Sequence, residues 1–335
     1  MSTTLSVVMP VHDEAAHLGD TIAALAVAAG RASFATDVVL VDDGSSDESA
    51  DVALRAAEGR LPLRIVSQPG RGRFLARKAG IEAAGGEYVL LLDGRVRLRP
   101  PALAFVHGRI AAGETVWNGH VHVETDGNPY GTFSNLLAEL AWREYFDDPR
   151  TTSFDAESFD RYPKGTGCFV APRALLLDAL GAFRLRYPDP RAVNDDTSLI
   201  RWISSRVRIH LSPDFACDYA PRSSFRSFVR HSVHRGTVFL DGHGRRESRF
   251  FPVVAAFFPV SAAVALASLR RPSLVPALGL ATAAAGAAVV VRARRTPGEA
   301  LAFGALLPLY AVAHGAGMWR GLVLLARGRR APAAG

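Results

Sequence analysis

The sequence predicts an α/β protein with a mainly parallel, doubly wound sheet, flanking helices and C-terminal transmembrane helices. Short apolar runs alternate with helical patterns through residues 4–95, which is typical of a parallel sheet wound by crossover helices. One of these runs, 38–41, ends in the paired carboxylates Asp42 and Asp43. From residue 250 onward, three long runs carry no charge. We therefore expect a soluble domain over residues 1–247 and a membrane anchor of two to three hydrophobic helices over residues 248–330.

Apolar periodicity predicts the individual elements. The spacing of Leu18, Ile22 and Leu25 indicates a helix after His12-Asp13-Glu14, and Ser46 or Asp47 is suited to cap the next helix. The segment from Gly165 to Val170 leads into a further helix. Strands are predicted at residues 5–11, 37–41, 63–66, 87–92 and 117–124. Helices are predicted at residues 73–84, 133–146, 173–180 and 197–203, with a loop at 147–160.

The three uncharged runs span residues 250–269, 273–291 and 300–319. Each is close to the ~20 residues that a helix needs to cross a bilayer, so a membrane anchor is favoured over buried helices of a large soluble core. Three full crossings from a cytoplasmic domain would put Arg327, Arg329 and Arg330 on the outer side of the membrane. Arginines that flank membrane helices are usually on the cytoplasmic side. One run is therefore a candidate for a re-entrant or interfacial helix. Prolines mark the first run (Pro252, Pro259) and the third (Pro308).

The formal charge of +7 is carried almost entirely by arginine. This charge suits the anionic cytoplasmic leaflet or a nucleotide diphosphate, whereas nucleic acid is disfavoured because no recognition motif accompanies it. Cys168 and Cys217 have no metal-site spacing, which fits a reducing compartment. The N-terminus has no charged or apolar leader. We expect a cell-membrane protein that contacts membrane lipid, with its soluble domain in the cytoplasm.

Asp42 and Asp43 are the first candidate site. Ligands of open α/β sheets bind beyond the carboxyl ends of the strands, and two acids there suit a ribose, a nucleobase or a metal-bound diphosphate. The alternative is that they cap a turn. Asp93 ends a nearby predicted strand, which favours a site. A Gly-x-Gly-x-x-Gly motif is missing after the first strand, so dinucleotide binding is disfavoured.

Five motifs, in order, resemble those of the family 2 glycosyltransferases with the GT-A fold. The resemblance covers roughly residues 4–240. A tail at 219–224, followed by Arg230 and Arg235, is similar to the succinoglycan-type (ExoA-like) branch. The five motifs are Pro10-Val11-His12-Asp13-Glu14, Val41-Asp42-Asp43-Gly44-Ser45-Ser46-Asp47, Ala76-Arg77-Lys78-Ala79-Gly80-Ile81, Gly86-Glu87-Tyr88-Val89-Leu90-Leu91-Leu92-Asp93 and Asp195-Asp196-Thr197-Ser198-Leu199-Ile200-Arg201.

The resemblance implies a nucleotide-sugar donor and inversion at the anomeric carbon. Asp43 would bind the base, since a carboxylate accepts hydrogen bonds from N–H groups, and Asp42 would shape the site. Pro10 and Val11 would lie against the nucleotide, with Glu14 nearby. The full set of donor-binding residues implied in this way is Pro10, Val11, Glu14, Asp42, Asp43, Arg77, Asp93 and Arg95.

The run Asp93-Gly94-Arg95 departs from the family pattern, which usually reads Asp-x-Asp with a second acid that ligates Mg²⁺ or Mn²⁺. A metal held by Asp93 and phosphate oxygens remains open, because Mg²⁺ often keeps several waters. Alternatively, Arg95 itself neutralises the diphosphate, since guanidinium binds phosphate bidentately. The third interpretation is that Arg95 points to solvent with Arg97 and Arg99.

Asp196 matches the family's catalytic base, which takes the proton of an acceptor hydroxyl. Asp195 is the alternative base, and an N-cap role before Thr197 is the alternative to catalysis. Arg230 and Arg235, with two neighbouring histidines, either bind the diphosphate or acceptor or form the exposed face of an amphipathic helix at the bilayer. His120, His122 and Glu124 alternate on a predicted strand, so they share one face of it. Residues with this spacing are either metal ligands or, more often, a polar strand face.

These features together predict a membrane-anchored, inverting, hexosyltransferase-type enzyme of polysaccharide biosynthesis. It would transfer a sugar from a nucleotide-diphosphate donor to a hydroxyl of a lipid-linked saccharide or polysaccharide acceptor. One alternative is a polyprenyl-phosphate glycosyltransferase, whose acceptor is already an anion. The other is a non-catalytic nucleotide-sugar-binding membrane scaffold, which the missing second acid at Arg95 would favour.

Overall fold

The computed structural model describes residues 3–328, so Arg329 and Arg330 lie outside the described residues. The chain forms two compact units that are interleaved in sequence. The sheet unit comprises the described part of Met1–His122, with Glu144–Arg184 and Asp195–Ala220. The helical unit comprises Val123–Arg143, Leu185–Asn194 and the described part of Pro221–Gly335.

The strands of the described chain form one sheet of mixed direction. Its order is β3-β2-β1-β4-β8-β6-β9-β5, with β7 paired to β9. The first four strands in this order are parallel, and β8 runs antiparallel to β4. The strands are β1 Thr4–Val11, β2 Ala35–Asp42, β3 Leu63–Ser67, β4 Tyr88–Leu92, β5 Val96–Leu98, β6 Trp117–Val123, β7 Thr152–Phe154, β8 Cys168–Pro172 and β9 Ile209–Tyr219.

Helices flank the sheet and make up most of the C-terminal part. In chain order they are α1 Ala15–Gly30, α2 Ser49–Ala57, α3 Arg73–Ala83, α4 Ala102–Ala111, α5 Pro129–Ala141, α6 Arg143–Phe146, α7 Arg173–Ala182, α8 Asp195–Ser204, α9 Phe225–His243, α10 Phe251–Arg270, α11 Leu274–Arg292 and α12 Pro297–Gly328.

The central parallel strands are covered on both faces, which explains their continuous apolar sequences. Successive side chains of a strand point to opposite faces. Val7 of β1 packs in a core cluster with residues of α1, α2 and α4, whereas its neighbour Val8 packs in a second cluster with residues of α3, α7 and α8. Both valines are fully buried. The predicted doubly wound sheet with flanking helices is therefore confirmed.

The parallel register brings three strand ends to one edge of the sheet. Val11 pairs with Asp42, and Asp42 pairs with Ser67. β4 lies on the other side of β1 and ends at Leu92, directly before Asp93. The two acidic motifs after β2 and β4 are therefore at the same carboxyl edge.

Three predicted elements differ from the structure. The helix expected at 133–146 begins at Pro129, because the Asn128 side chain accepts hydrogen bonds from two N–H groups of the first turn, and it is interrupted at Trp142. The loop expected at 147–160 contains β7, which pairs with β9. The helix expected from Thr197 already includes Asp195, so both acids of that motif lie in its first turn.

Three helices among the described residues, α10, α11 and α12, are long and apolar enough to cross a membrane. The most apolar 18-residue windows of these helices have mean hydropathies of 2.0, 2.1 and 1.4. Only 6%, 11% and 33% of the residues in these windows are buried. This exposure excludes the alternative of buried core helices. Pro259 and Pro308 lie inside continuous helices. Arg292 is the last residue of α11, and Arg294 and Arg295 follow the helix.

Candidate active site

Asp43 connects the end of β2 to the segment that begins α3. Its carboxylate accepts hydrogen bonds from Gln68 Nε2 at 2.6 Å, from the Arg71 N–H at 2.6 Å and from the Gly72 N–H at 2.7 Å. The side chain is only 7% exposed. Asp42 instead accepts the Ser45 N–H at 2.9 Å, so the turn-capping alternative applies to that residue. Asp43 thus positions the loop over residues 68–72.

The loops after β2 and β3 approach each other at two glycines. Gly44 has a φ of 76°, in the left-handed region that favours glycine. A Cβ at this position would lie 2.7 Å from the backbone nitrogen of Gly70. The glycine in the Asp42-Asp43-Gly44 motif is therefore needed for both its conformation and this close approach.

Arg77, on α3, brings three carboxylates together from distant parts of the chain. Its guanidinium donates to Asp93 Oδ1 at 2.9 Å, to Asp196 Oδ1 at 3.0 Å and to Asp195 Oδ2. Arg77 is 3% exposed. Because Asp43 holds the residues directly before α3, the acids at 43, 93 and 196 are all organised around the start of this helix.

The two adjacent acids of α8 have different environments. The Asp195 side chain is 8% exposed, whereas that of Asp196 is 36% exposed. Burial and the neighbouring Asp196 charge raise the pKa of Asp195 despite the attraction of Arg77. For Asp196, burial also acts to raise the pKa, but Arg77, Arg73 and the Thr166 hydroxyl outweigh it and lower the pKa. Asp196 is therefore the more accessible acid of the pair and the one whose ionised form is favoured.

The loop Gly165-Thr166-Gly167 holds two of these acids, and sequence reasoning did not identify it. The Thr166 hydroxyl donates to Asp196 Oδ1, and the Gly167 carbonyl accepts the Asp93 N–H at 3.0 Å. A Cβ at Gly167 would lie 3.2 Å from Asp93 Oδ2. Buried Asn118 accepts the Gly165 N–H at 3.0 Å. The two glycines around a hydroxyl residue were the only available sequence signal.

Arg95 does not point to solvent with its neighbours. Its Nε lies 2.6 Å from Glu14 Oε2, and the two side chains are only 20% and 17% exposed. Arg99 pairs separately with Asp218. Glu14 is thus paired with the arginine that replaces the family's second acid. Separately, among residues 3–328, no group of three or more His, Cys, Asp or Glu side chains could hold a metal ion.

The predicted nucleotide-contacting residues of β1 lie beside this pair. Val11 is 2% exposed, so its side chain belongs to the core, and Pro10 is half-buried. A Cβ at Gly94 would lie 3.3 Å from Val11 Cγ1 and 3.5 Å from Glu14 Cβ. Val11 and Glu14 thus pack around the backbone of Gly94, and any ligand contact by Val11 would involve its main chain.

The remaining candidates are on α9 and β6. Arg230 and Arg235 are on α9, an amphipathic helix of the helical unit, and their proposed role at the diphosphate or acceptor stays a prediction. His120 is buried, with Nδ1 2.7 Å from the Tyr145 hydroxyl. Burial, with His122 and Arg99, lowers its pKa to about 4. His120 is therefore a core residue rather than part of an exposed polar strand face.

The fold and the site together define a class of protein. A sheet with four neighbouring parallel strands carries Asp43 and Asp93 beyond its carboxyl edge, and the buried Arg77 joins Asp93 to the partly exposed Asp196 of α8. The sheet and its flanking helices resemble those of glycosyltransferases with the GT-A fold. Residues 6–168 match the family model described as Glycosyl transferase family 2. Residues 6–168 thus carry the family 2 glycosyltransferase sequence pattern that the motifs predict; the succinoglycan-type branch stays a prediction.

Curated relatives carry this similarity as well. The undecaprenyl-phosphate 4-deoxy-4-formamido-L-arabinose transferase of Pseudomonas aeruginosa (strain LESB58) is 31% identical over 139 residues, 41% of each chain. The protein of the same name from Pseudomonas paraeruginosa (strain DSM 24068 / PA7) is 33% identical over 143 residues, 42% of this chain and 38% of the relative. The chain thus spans about two fifths of the length of these relatives.

A solved structure shares the fold over almost the whole chain. The S. aureus TarS 1–349 complex with UDP has a TM-score of 0.52 at 17% sequence identity, covering 98% of this chain and 92% of that one. The corresponding complex with UDP-GlcNAc gives a TM-score of 0.51. This likeness confirms the GT-A-like fold.

Proposed function

We propose that this protein is a membrane-anchored, inverting glycosyltransferase. It transfers a sugar from a nucleotide-diphosphate donor to a hydroxyl of a lipid-linked saccharide or polysaccharide acceptor. The observation that carries the proposal is the position of Asp196, a partly exposed carboxylate held beside Asp93 by Arg77. A hydroxyl acceptor needs such a base, since an alcohol is a weak nucleophile until its proton is removed.

The proposed reaction is a single displacement at the anomeric carbon. The acceptor oxygen forms a bond to that carbon on the face opposite the donor diphosphate, and Asp196 takes the acceptor proton. The bond between the anomeric carbon and the diphosphate oxygen breaks, and the nucleoside diphosphate leaves with the electron pair. Arg77 positions Asp196 and stabilises its ionised form, while the buried Asp195 serves to hold Arg77 in place.

Donor binding would use the carboxyl edge of the sheet. Asp43 has hydrogen bonds to three groups of the 68–72 loop, and a carboxylate has about four acceptor positions. One position is thus left for an N–H of the base. The TarS structures are complexes with UDP and with UDP-GlcNAc. This likeness supports a nucleotide-sugar donor for this chain as well.

A polyprenyl-phosphate acceptor is the second candidate. The curated relatives are named undecaprenyl-phosphate sugar transferases, which favours it. Such an acceptor is already an anion and needs no general base. We rank it second because the relatives match only about two fifths of their length, and because the Asp196 geometry suits proton removal.

The apolar helices suit either acceptor, because a polyprenyl-linked substrate cannot leave the bilayer. We further propose that α10, α11 and α12 anchor the chain in the cell membrane with the glycosyltransferase domain on the cytoplasmic side. Arg292, Arg294 and Arg295 at the end of α11 support this orientation, because two crossings return the chain to the side of the glycosyltransferase domain, where anionic lipid headgroups attract arginine.

Replacing Asp196 by Asn in the full chain, purified in detergent, tests the function and the acceptor together. Each protein is assayed with nucleotide-sugar donors against a lipid-linked saccharide and against a polyprenyl phosphate. Loss of about a hundredfold or more in transfer to the hydroxyl supports the proposal, since positioned general bases contribute at least this much. Asp178→Asn, an exposed acid of α7, is the matched control.

Two outcomes would count against the hydroxyl acceptor. Transfer to the polyprenyl phosphate alone, retained in the Asp196→Asn variant, would establish the second candidate instead. Binding of donor without transfer to any acceptor and without donor hydrolysis would favour the non-catalytic scaffold.

A further inference from the structure

The side chains around Asp93 do not fit a divalent cation. Asp93 Oδ1 accepts a hydrogen bond from Arg77 Nη2 at 2.9 Å, and Asp93 Oδ2 lies 3.9 Å from Arg73 Nη1. Mg²⁺ and Mn²⁺ prefer several anionic or carbonyl oxygens. Here two guanidinium groups already contact Asp93, the one acid that this chain keeps from the usual Asp-x-Asp motif. A cation approaching Asp93 would be repelled by both.

The second position of the usual Asp-x-Asp motif offers no further ligand. Arg95 stands there, and its Nε is 2.6 Å from Glu14 Oε2 with both side chains largely buried. Glu14 and Arg95 thus form an ion pair with each other. This pairing also removes Arg95 as the group that neutralises a donor diphosphate, because leaving Glu14 unpaired in a mostly buried position is costly.

Arg73 is the cation of this cluster that can reach a ligand. It lies in the first turn of α3, one turn before Arg77, and its side chain is 48% exposed. Arg77, by contrast, is almost fully buried and donates to three carboxylates. The contact of Arg73 with Asp93, at 3.9 Å, is the longest ion pair of the cluster. Its guanidinium can therefore turn toward a phosphate without breaking a short hydrogen bond to Asp93.

We propose that Arg73 takes the place of the divalent cation and binds the donor diphosphate, so that donor binding by this protein requires no metal ion. The planar guanidinium matches two phosphate oxygens at once, which supplies the counter-charge and the orientation that a bridging metal would give. Asp93 then serves to aim Arg73 and Arg77 rather than to ligate a metal. This inference rests on the proposed glycosyltransferase function.

Binding of nucleoside diphosphates to the purified full chain tests the inference without requiring a known acceptor. Affinities for UDP, GDP, ADP, CDP and dTDP are measured by calorimetry in excess EDTA and again with MnCl₂. We expect the tightest of the five to bind equally, within about twofold, under both conditions. Arg73→Gln should weaken that binding by about tenfold or more, because a charge-assisted hydrogen bond is lost.

Two further variants separate a specific contact from general charge. Lys78→Gln removes one positive charge from the same helix at an exposed position that pairs with Glu82, and it should leave nucleotide affinity unchanged. Arg73→Lys keeps the charge but loses the planar fork, so its affinity should fall between those of the parent chain and Arg73→Gln. Melting curves of each variant show that the fold is retained.

The outcomes distinguish this inference from the function on which it rests. Nucleotide binding that appears only with Mn²⁺, or that is unaffected by Arg73→Gln, would overturn the inference and leave the glycosyltransferase proposal standing. Failure of every nucleotide to bind under both conditions would overturn the proposed function, and the inference with it.

Discussion

Arg77 is the residue on which the geometry of the candidate site depends. It is 3% exposed and joins carboxylates that stand 16, 118 and 119 positions away in the chain. The acids raise its pKa, even though burial alone would lower it. A buried ion network of this kind is costly to break, because each partner left behind is an uncompensated buried charge.

Replacing Arg77 by Gln should therefore destabilise the chain strongly. We expect a loss of about 3–5 kcal/mol in the free energy of unfolding, the usual cost of removing one partner of a buried pair. Chemical denaturation followed by fluorescence measures it, with Lys78→Gln as the exposed control on the same helix. Adding Asp195→Asn to Arg77→Gln should recover part of the loss. Equal stability of Arg77→Gln and Lys78→Gln would contradict the assignment.

Local motifs predicted the acids of the site but not what holds them. Asp43, Asp93 and Asp196 stand in recognisable runs, and the parallel register then brings the first two to one edge. Thr166 and Asn118 carry no such pattern, since their importance arises from hydrogen bonds to a distant residue and a loop. The pairing of Arg95 with Glu14, 81 positions apart, likewise depends on the folded chain.

Asp47 connects the starts of two helices. Its Oδ2 accepts the Ala15 N–H of α1 at 3.0 Å, and its Oδ1 accepts the Ser49 N–H of α2 at 3.0 Å. These N–H groups have no partner within their own helices. Burial acts to raise the pKa of Asp47, but the hydrogen bonds from Ser49 and Ala15 outweigh it and lower the pKa.

The capping by Asp47 should depend on pH. Asp47→Ala is expected to cost about 1 kcal/mol at pH 7, typical of a lost N-terminal cap. Because the folded-state pKa lies below the ordinary value of 3.8, this contribution is fully present above 3.8 and is lost as the pH falls through the lower folded value. Thermal melts at decreasing pH test this, with Asp178→Ala as control. A difference that grows on acidification would refute it.

Element prediction succeeded where the apolar pattern was continuous. The strands β1, β2 and β4 are buried on both faces, so their sequences are unambiguous. β9 was missed because Pro213 and Asp214 interrupt it, and both residues are unusual in strands. β7 was missed because it is three residues long and exists through its pairing with β9.

At the scale of the whole molecule, the exposed apolar surface is concentrated on the C-terminal helices. Leu280 of α11 is 73% exposed, as are Leu301 and Val312 of α12. Large exposed apolar surfaces are rare on soluble proteins and mark contact with a membrane or partner. Together with helix lengths that suit a bilayer, this surface supports the proposed anchor.

A charge placed in the middle of α11 should disturb membrane association. Leu280→Arg is expected to cost about 2.5–3.5 kcal/mol of insertion free energy and to reduce the fraction of the protein that resists extraction from membranes by alkaline carbonate. Leu185→Arg, at an exposed leucine outside the apolar helices, is the matched control. The anchor proposal fails if both variants, or neither, lose membrane association.

The division into units was less predictable than the elements. A single boundary near residue 247 was expected, whereas α5 and α9 belong with the apolar helices. Within the helical unit, the Thr237 hydroxyl of α9 donates to the Gly317 carbonyl of α12 at 3.1 Å, and Phe133 of α5 stacks on Phe303. An amphipathic sequence shows only that one face of its helix is buried. It does not show which other helix covers that face.

The amino-acid sequence alone determined the class of fold, the acids at the sheet edge and the positions of the three apolar helices, because each follows from local periodicity or a short run of residues. Only the tertiary structure decided how the charges are paired. It assigned Arg77 to three carboxylates, matched Arg95 with Glu14 and left Arg73 exposed. Electrostatic partners depend on distances of a few ångströms between residues far apart in the chain.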